Sequence, residues 1–231
     1  MKLQPGVMQL VFCHIPKCGG KTFKDILYHQ FDLKPNIFRT GYGYKPKLID
    51  KLQEVDILYG HFNFNFMRPH LRKRHLLFMW EREPIERVIS QYNYWNSLRG
   101  TVLPARRLRE EEWTIQEFFR RRDPDVDGWI FAGLSLFGVD FKTGGQTVSE
   151  CVKLAKKNID MFDFIGITEQ YDKSLQCLED KFGFDISYKS VNVTPNWAKM
   201  ATITEEEREE FKELLKPEYE LYEYAKERAT S

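Results

Sequence analysis

The chain has 231 residues, 42% of them apolar, 30% charged and 15% aromatic, with 35 Lys plus Arg against 34 Asp plus Glu. The 18 Phe and 11 Tyr exclude a disordered chain, and a net charge of +1 argues against a general electrostatic nucleic-acid binder. The length fits a single domain over 1–231 with a sizeable core, and no apolar run nears the roughly 18 residues of a membrane span.

In chain order, Met8 to Cys13 reads as a buried strand. It runs into His14-Ile15-Pro16-Lys17-Cys18-Gly19-Gly20, and a helical pattern follows with Phe23, Ile26, Leu27 and Phe31 on one face. Short strands are expected at Val55–Tyr59 and Leu76–Trp80. The second feeds a helix that begins at Pro84, a favoured first helical residue. The polar stretch 96–112 reads as a surface loop. Thr114/Glu117, Thr147/Glu150 and Thr204/Glu207 carry the Thr-x-x-Glu signature of a helix start. Further strands are expected at Phe162–Ile167 and Ile186–Val193, with a helix from Tyr171 to Phe182 and two at the C-terminus, the last restarting at Pro217. Strands alternating with helices predict an α/β domain, a mostly parallel central sheet flanked by helices on both faces.

Four cysteines, Cys13, Cys18, Cys151 and Cys177, lack zinc spacing and any Cys-x-x-Cys. Gln4, Pro5, Gly6 and Gln9 interrupt any secretory stretch in the first 20 residues. Reduced thiols in a cytoplasmic protein are therefore expected. Cys18, beside Lys17 at a helix N-terminus, has a setting that favours thiolate. His70 and His75 are five apart without a third ligand, so no metal site is implied.

The segment from Pro16 to Thr22 suits an anion. Gly19 and Gly20 allow a tight turn and close approach, the following helix presents its N–H groups, and Lys17, Lys21 and Thr22 add donors. Gly20-Lys21-Thr22 ends like a nucleoside-triphosphate loop, but that pattern needs glycine where Ile15 stands. It also wants an aspartate closing a buried strand, where this chain has Glu81-Arg82-Glu83.

The run His14 to Phe23 resembles the 5′-phosphosulfate loop of sulfotransferases that use 3′-phosphoadenosine 5′-phosphosulfate (PAPS). The nearest likeness is to the carbohydrate branch, which includes the heparan sulfate 2-O- and 6-O-sulfotransferases. Cys18 and Lys21 stand where that loop commonly has Thr. Arg82-Glu83-Pro84-Ile85-Glu86-Arg87-Val88-Ile89-Ser90 is similar to the family's 3′-phosphate element, with Arg and Ser eight apart. Gly60-His61-Phe62-Asn63-Phe64 resembles the segment that carries the catalytic histidine of the 2-O-sulfotransferases. Glu169 after its strand and Asn192-Val193-Thr194-Pro195 are weaker matches, while 96–160 matches nothing.

The resemblance implies a nucleotide-kinase-like fold and sulfuryl transfer from PAPS to an acceptor hydroxyl, with a carbohydrate or another small molecule as acceptor. It implies Lys17 and His61 as catalytic residues. Lys17, Cys18, Gly19, Gly20, Lys21, Thr22 and Phe23 would hold the 5′-phosphosulfate, and Arg82 and Ser90 the 3′-phosphate. Neither nucleic acid nor a membrane is an expected partner. Two other readings stay open: a nucleoside-triphosphate-dependent kinase, and a non-catalytic nucleotide- or glycan-binding module.

Overall fold

Gln9–Cys13 is buried at every position and forms the central strand β1. The computed structural model describes residues 2–40, 52–97, 103–121, 124–138, 146–187 and 201–229. Ile37–Thr40 (β2), Ile57–Gly60 (β3), His75–Glu81 (β4) and Phe164–Ile167 (β5) complete a sheet of order β2-β3-β1-β4-β5. Every pairing is parallel. Cys13 lies opposite both Gly60 and Met79, so β1 and β3 end together and β4 runs two residues further, to Glu81. Strands covered on both faces read as unbroken apolar runs, which is why β1 and β4 show no alternation.

Even-numbered residues of β1, β4 and β5, which lie level with one another, face the helices α1 (Gly20–Tyr28) and α9 (Tyr171–Phe182). Phe23 of α1 packs on Phe12, Phe78, Trp80 and Phe164. Tyr171 of α9 stacks on Trp80 with ring centroids 4.1 Å apart. On the other face Glu81 is directed towards Glu218 of α11 (Lys216–Ala229). Helices therefore cover both faces, as the alternating pattern predicts.

Between β3 and β4 lie one short α-helix, α2 (Phe64–Met67), and a 3-10 turn at Arg68–His70. Between β4 and β5 the chain builds α3 (Pro84–Ser97), α4 (Leu103–Glu110), α5 (Ile115–Arg120), α6 (Pro124–Ile130), α7 (Ala132–Phe137) and α8 (Val148–Ile159). With α10 (Glu205–Leu214), helices α3 to α6 enclose a second apolar core of Ile85, Val88, Trp95, Leu108, Phe118 and Phe211, while α7 and α8 join the core of the sheet. Thr114, Thr147 and Thr204 each close a complete capping box at the start of α5, α8 and α10.

Three expectations change. The polar stretch 96–112 contains α4, whose apolar side consists only of Pro104, Ala105 and Leu108, too few to register as a period. Strand β2 was not expected, since four residues that include Arg39 and Thr40 show little β pattern. Of the strand expected at 186–193, Ile186 and Ser187 are irregular and 188–193 lie outside the described residues.

Arg87 and Glu218 form an ion pair at 3.2 Å with side chains only 1% and 5% exposed. The Arg87 guanidinium also donates to the carbonyls of Trp129, at 2.8 Å, and Ile130, both at the C-terminal end of α6. The Glu218 carboxylate accepts from the backbone N–H groups of Gly133 and Leu134, at 3.1 and 2.8 Å, in the first turn of α7. Each charge thus covers the helix end whose partial charge it opposes. Arg87→Met would leave Glu218 buried without its partner. The expected loss is about 3–5 kcal/mol of stability in urea unfolding, and a loss under about 1 kcal/mol would mean that the pair does not hold these elements together.

Candidate functional site

The five strands end on one edge, where ligands of parallel α/β sheets sit. After β1 the backbone turns through left-handed conformations at Lys17 (φ 70°) and Gly19 (φ 73°) before α1 starts. A side chain on Gly20 would place Cβ 2.0 Å from Nε2 of His14, and one on Gly19 would place it 2.7 Å from the Tyr171 ring. The two glycines are thus pressed between His14 and Tyr171, and their backbone lies at the head of a nine-residue helix. That is a cradle into which a phosphate-sized anion fits.

The loop side chains divide. Thr22 is buried, and Phe23 is wholly buried in the core, so Phe23 anchors the helix and can offer a ligand only its backbone. Cys18 is fully buried too, with its thiol donating towards the Pro16 carbonyl at 3.7 Å. Burial, with Glu81 adding, pushes this thiol well up, outweighing the Arg87 and Arg82 charges. The expected thiolate character is therefore corrected: Cys18 is a core residue with its backbone in the loop. Lys21 is exposed.

Lys17 is half-buried, and its Nζ lies 4.2 Å from the centroid of the Tyr94 ring. Arg82, the first residue after β4, donates from Nη1 to the Lys17 carbonyl at 3.2 Å. Burial, then the Arg82 and Lys21 charges, push the Lys17 amine down to about 8. Three cations thus converge on one glycine turn, an arrangement suited to a multiply charged anion. Ser90 is half-buried in the second turn of α3.

His61 follows β3 directly. Its Nδ1 is 2.6 Å from the His14 carbonyl. A carbonyl only accepts, so Nδ1 carries the proton and Nε2 is the basic nitrogen. Burial holds the imidazole below its ordinary range, with Arg39 of β2 adding to the effect. The His14 and His61 rings stack at 4.6 Å, and Trp129 of α6 approaches His61 edge-on at 6.1 Å. His14 is held well below the usual histidine range by burial first, and then by His61, Lys17 and Arg39. It packs against Gly20 and presents its carbonyl to His61, a structural role.

Lys17, Lys21, Arg82 and His61 thus meet at neighbouring strand ends. Phe62 and Phe64 belong to the core, and Phe66 is exposed. Glu169 accepts from the Glu83 N–H at 3.0 Å and the Tyr222 hydroxyl at 3.3 Å, a tie between β5 and α11. Asn192 to Pro195 lie outside the described residues. Among those described, no three His, Cys, Asp or Glu side chains are grouped to hold a metal, and no helix is long and apolar enough to cross a membrane. Sequence reasoning missed Arg39, Tyr94, Trp129 and Tyr171. Of these only Tyr94 had a readable signal, standing four residues after Ser90 on the same helix face.

The contact of Gly20 with His14 gives a test of the loop. Gly20→Ala is expected to cost about 1–3 kcal/mol in thermal or urea unfolding, as an overpacked site does. His14→Ala should remove most of that extra cost in the double variant. Additive losses would show that the two residues do not share the space.

A family model described as sulfotransferase family matches residues 5–225. Among solved structures, the crystal structure of mouse sulfotransferase SULT7A1 complexed with PAP is similar over 96% of this chain and 88% of that one. The TM-score is 0.55 at 13% sequence identity, a likeness of fold. No curated protein matches. The match of the family model over nearly the whole chain settles the grouping: this chain belongs to the sulfotransferase family.

Proposed function

We propose that the chain moves the sulfuryl group of PAPS to an acceptor hydroxyl, most simply that of a carbohydrate, by in-line transfer with His61 as base. One observation carries the reading: a cationic glycine turn and a neutral histidine with basic Nε2 stand at the ends of paired strands β1 and β3, joined through His14. The similar mouse sulfotransferase is complexed with PAP, the nucleotide that PAPS becomes on losing its sulfuryl group. In this reading Nε2 of His61 takes the hydroxyl proton as the acceptor attacks. Lys17 and the N–H groups of α1 meet the charge that develops on the leaving phosphate oxygen. Arg82 and Ser90 hold the 3′-phosphate, Arg82 by a charge-assisted contact.

The kinase reading is disfavoured by Glu81. It stands at the end of β4, where a magnesium-holding carboxylate would be needed. Burial, with Glu218 adding, pushes its carboxyl up to about 8. The side chain is buried and accepts from the Arg82 N–H, so it is not turned out to the loop edge where magnesium would sit.

PAP is expected to raise the unfolding temperature with or without EDTA, by about 2.7 kcal/mol of stabilisation at a hundredfold excess over Kd. Arg82→Ala should weaken PAP binding by about 1.5–3 kcal/mol and Ser90→Ala by about 0.5–1.5 kcal/mol. Both losses should exceed those for adenosine 5′-phosphosulfate, which lacks the 3′-phosphate. Stabilisation by magnesium–ATP but not by PAP would hand the site to the kinase reading.

His61→Ala should slow sulfuryl transfer about 10²–10⁴-fold with PAP affinity nearly intact. In the parent chain turnover needs neutral His61 and charged Lys17. Activity should fall on the acid side through a value below about 6.5, the ordinary imidazole figure, and on the alkaline side through about 8. Product mass spectrometry across pH checks both limbs, and normal turnover by His61→Ala would remove it from the mechanism.

A further inference from the structure

The Lys17 ammonium is surrounded by groups that oppose its charge. Arg82 reaches the loop from the end of β4, Lys21 stands on α1, and His14 lies behind the turn, neutral. Among the titratable groups of the described residues, Cys18 alone favours the charged amine, weakly, since its own thiol is held in the neutral form by burial. From α3 comes a different kind of partner. The Tyr94 ring is 45% exposed and offers its face to Nζ of Lys17 at 4.2 Å from the centroid. An aromatic face attracts an ammonium through its quadrupole and does nothing for a neutral amine. Tyr94 stands one helical turn beyond Ser90, so the face of α3 assigned to the 3′-phosphate also reaches the loop lysine.

We propose that Tyr94 is a positioning residue for Lys17: its ring keeps the amine charged and fixes where the ammonium stands beside the glycine turn. The inference rests on the reading of Lys17 as the residue that meets charge on the leaving oxygen. That role needs an ammonium, not an amine, and one already in place before the bond breaks. Without the ring, a flexible four-carbon stem repelled by Arg82 and Lys21 has solvent as its easier direction. The ring therefore offsets, at one contact, the two costs that the anion-binding cluster places on its own lysine.

The test titrates Lys17 itself. Acetic anhydride labelling of the free chain across pH, read by peptide mass spectrometry, reports the fraction of neutral amine at Lys17 without any turnover. Loss of an exposed cation–π contact moves a lysine titration down by about half a pH unit. Tyr94→Leu should therefore cut the charged fraction at pH 8 from about a half to about a quarter, and the alkaline limb of sulfuryl transfer should move with it. Tyr94→Phe, which keeps a ring face, should behave as the parent chain in both measurements. Thermal unfolding of both variants confirms folding, since the side chain is largely at the surface. An unmoved Lys17 titration in Tyr94→Leu overturns the inference, as does a Tyr94→Phe variant that shifts as far. A shifted titration in a chain that sulfates no acceptor supports the Tyr94–Lys17 contact and overturns the transferase reading alone.

Discussion

The buried pair of Arg87 and Glu218 is the constraint on which the far side of the molecule depends. Four residues separate Arg82, at the ligand-bearing edge, from Arg87 in the first turn of α3. Through Arg87 this helix is bound to the end of α6, and through Glu218 to the start of α7 and to α11. Trp129 supplies both a carbonyl to Arg87 and a ring to His61. The same pair that closes the core therefore sets the wall beside the candidate base. A charge pair in such a place is costly to desolvate, and here the backbone groups of two helix ends share the work of satisfying it.

His14 plays the corresponding part on the near side. Its ring fills the space that a side chain on Gly20 would need, and its carbonyl fixes the His61 tautomer. The turn that would hold an anion and the imidazole that would take a proton are thus aligned by one residue. Arg82 adds a second link, since it holds the Lys17 carbonyl while its own backbone continues from β4. The loop is braced from two neighbouring strands, and that bracing is what preorganisation of a transfer site requires.

Much of this was legible in the sequence. The strand, glycine turn and helix from Met8 to Phe23 could be read because each part carries its own chemistry: an apolar run, paired glycines, a 3.6-residue period. Arg82 and His61 could be placed because each directly follows a strand, and Lys17 because it stands in the glycine turn after one. The roles of Arg87 and Glu218 could not. They are 131 residues apart and each, taken alone, reads as an ordinary surface charge. Arg39 lay on a four-residue edge strand that no pattern announces, and Trp129 on a short helix between two others. Cys18 was misjudged because local charges were visible and burial was not.

Glu81 and Lys17 together give the site a property that neither has alone. One is an acid pushed up to about 8, the other a base pushed down to about 8, on adjoining strand ends. As the solution turns alkaline the lysine loses its positive charge and the carboxyl gains a negative one. The local charge falls by one at each group, and both changes centre on about 8. The potential that would draw a polyanionic nucleotide to the turn therefore weakens in alkali through both groups. Folding itself carries the same bias. Because Glu81 holds its proton more firmly in the sheet than in the unfolded chain, its contribution to stability is whole below its unfolded value and fades as pH climbs through about 8. The edge that would attract the nucleotide and the strand that supports it are loosened by one proton inventory.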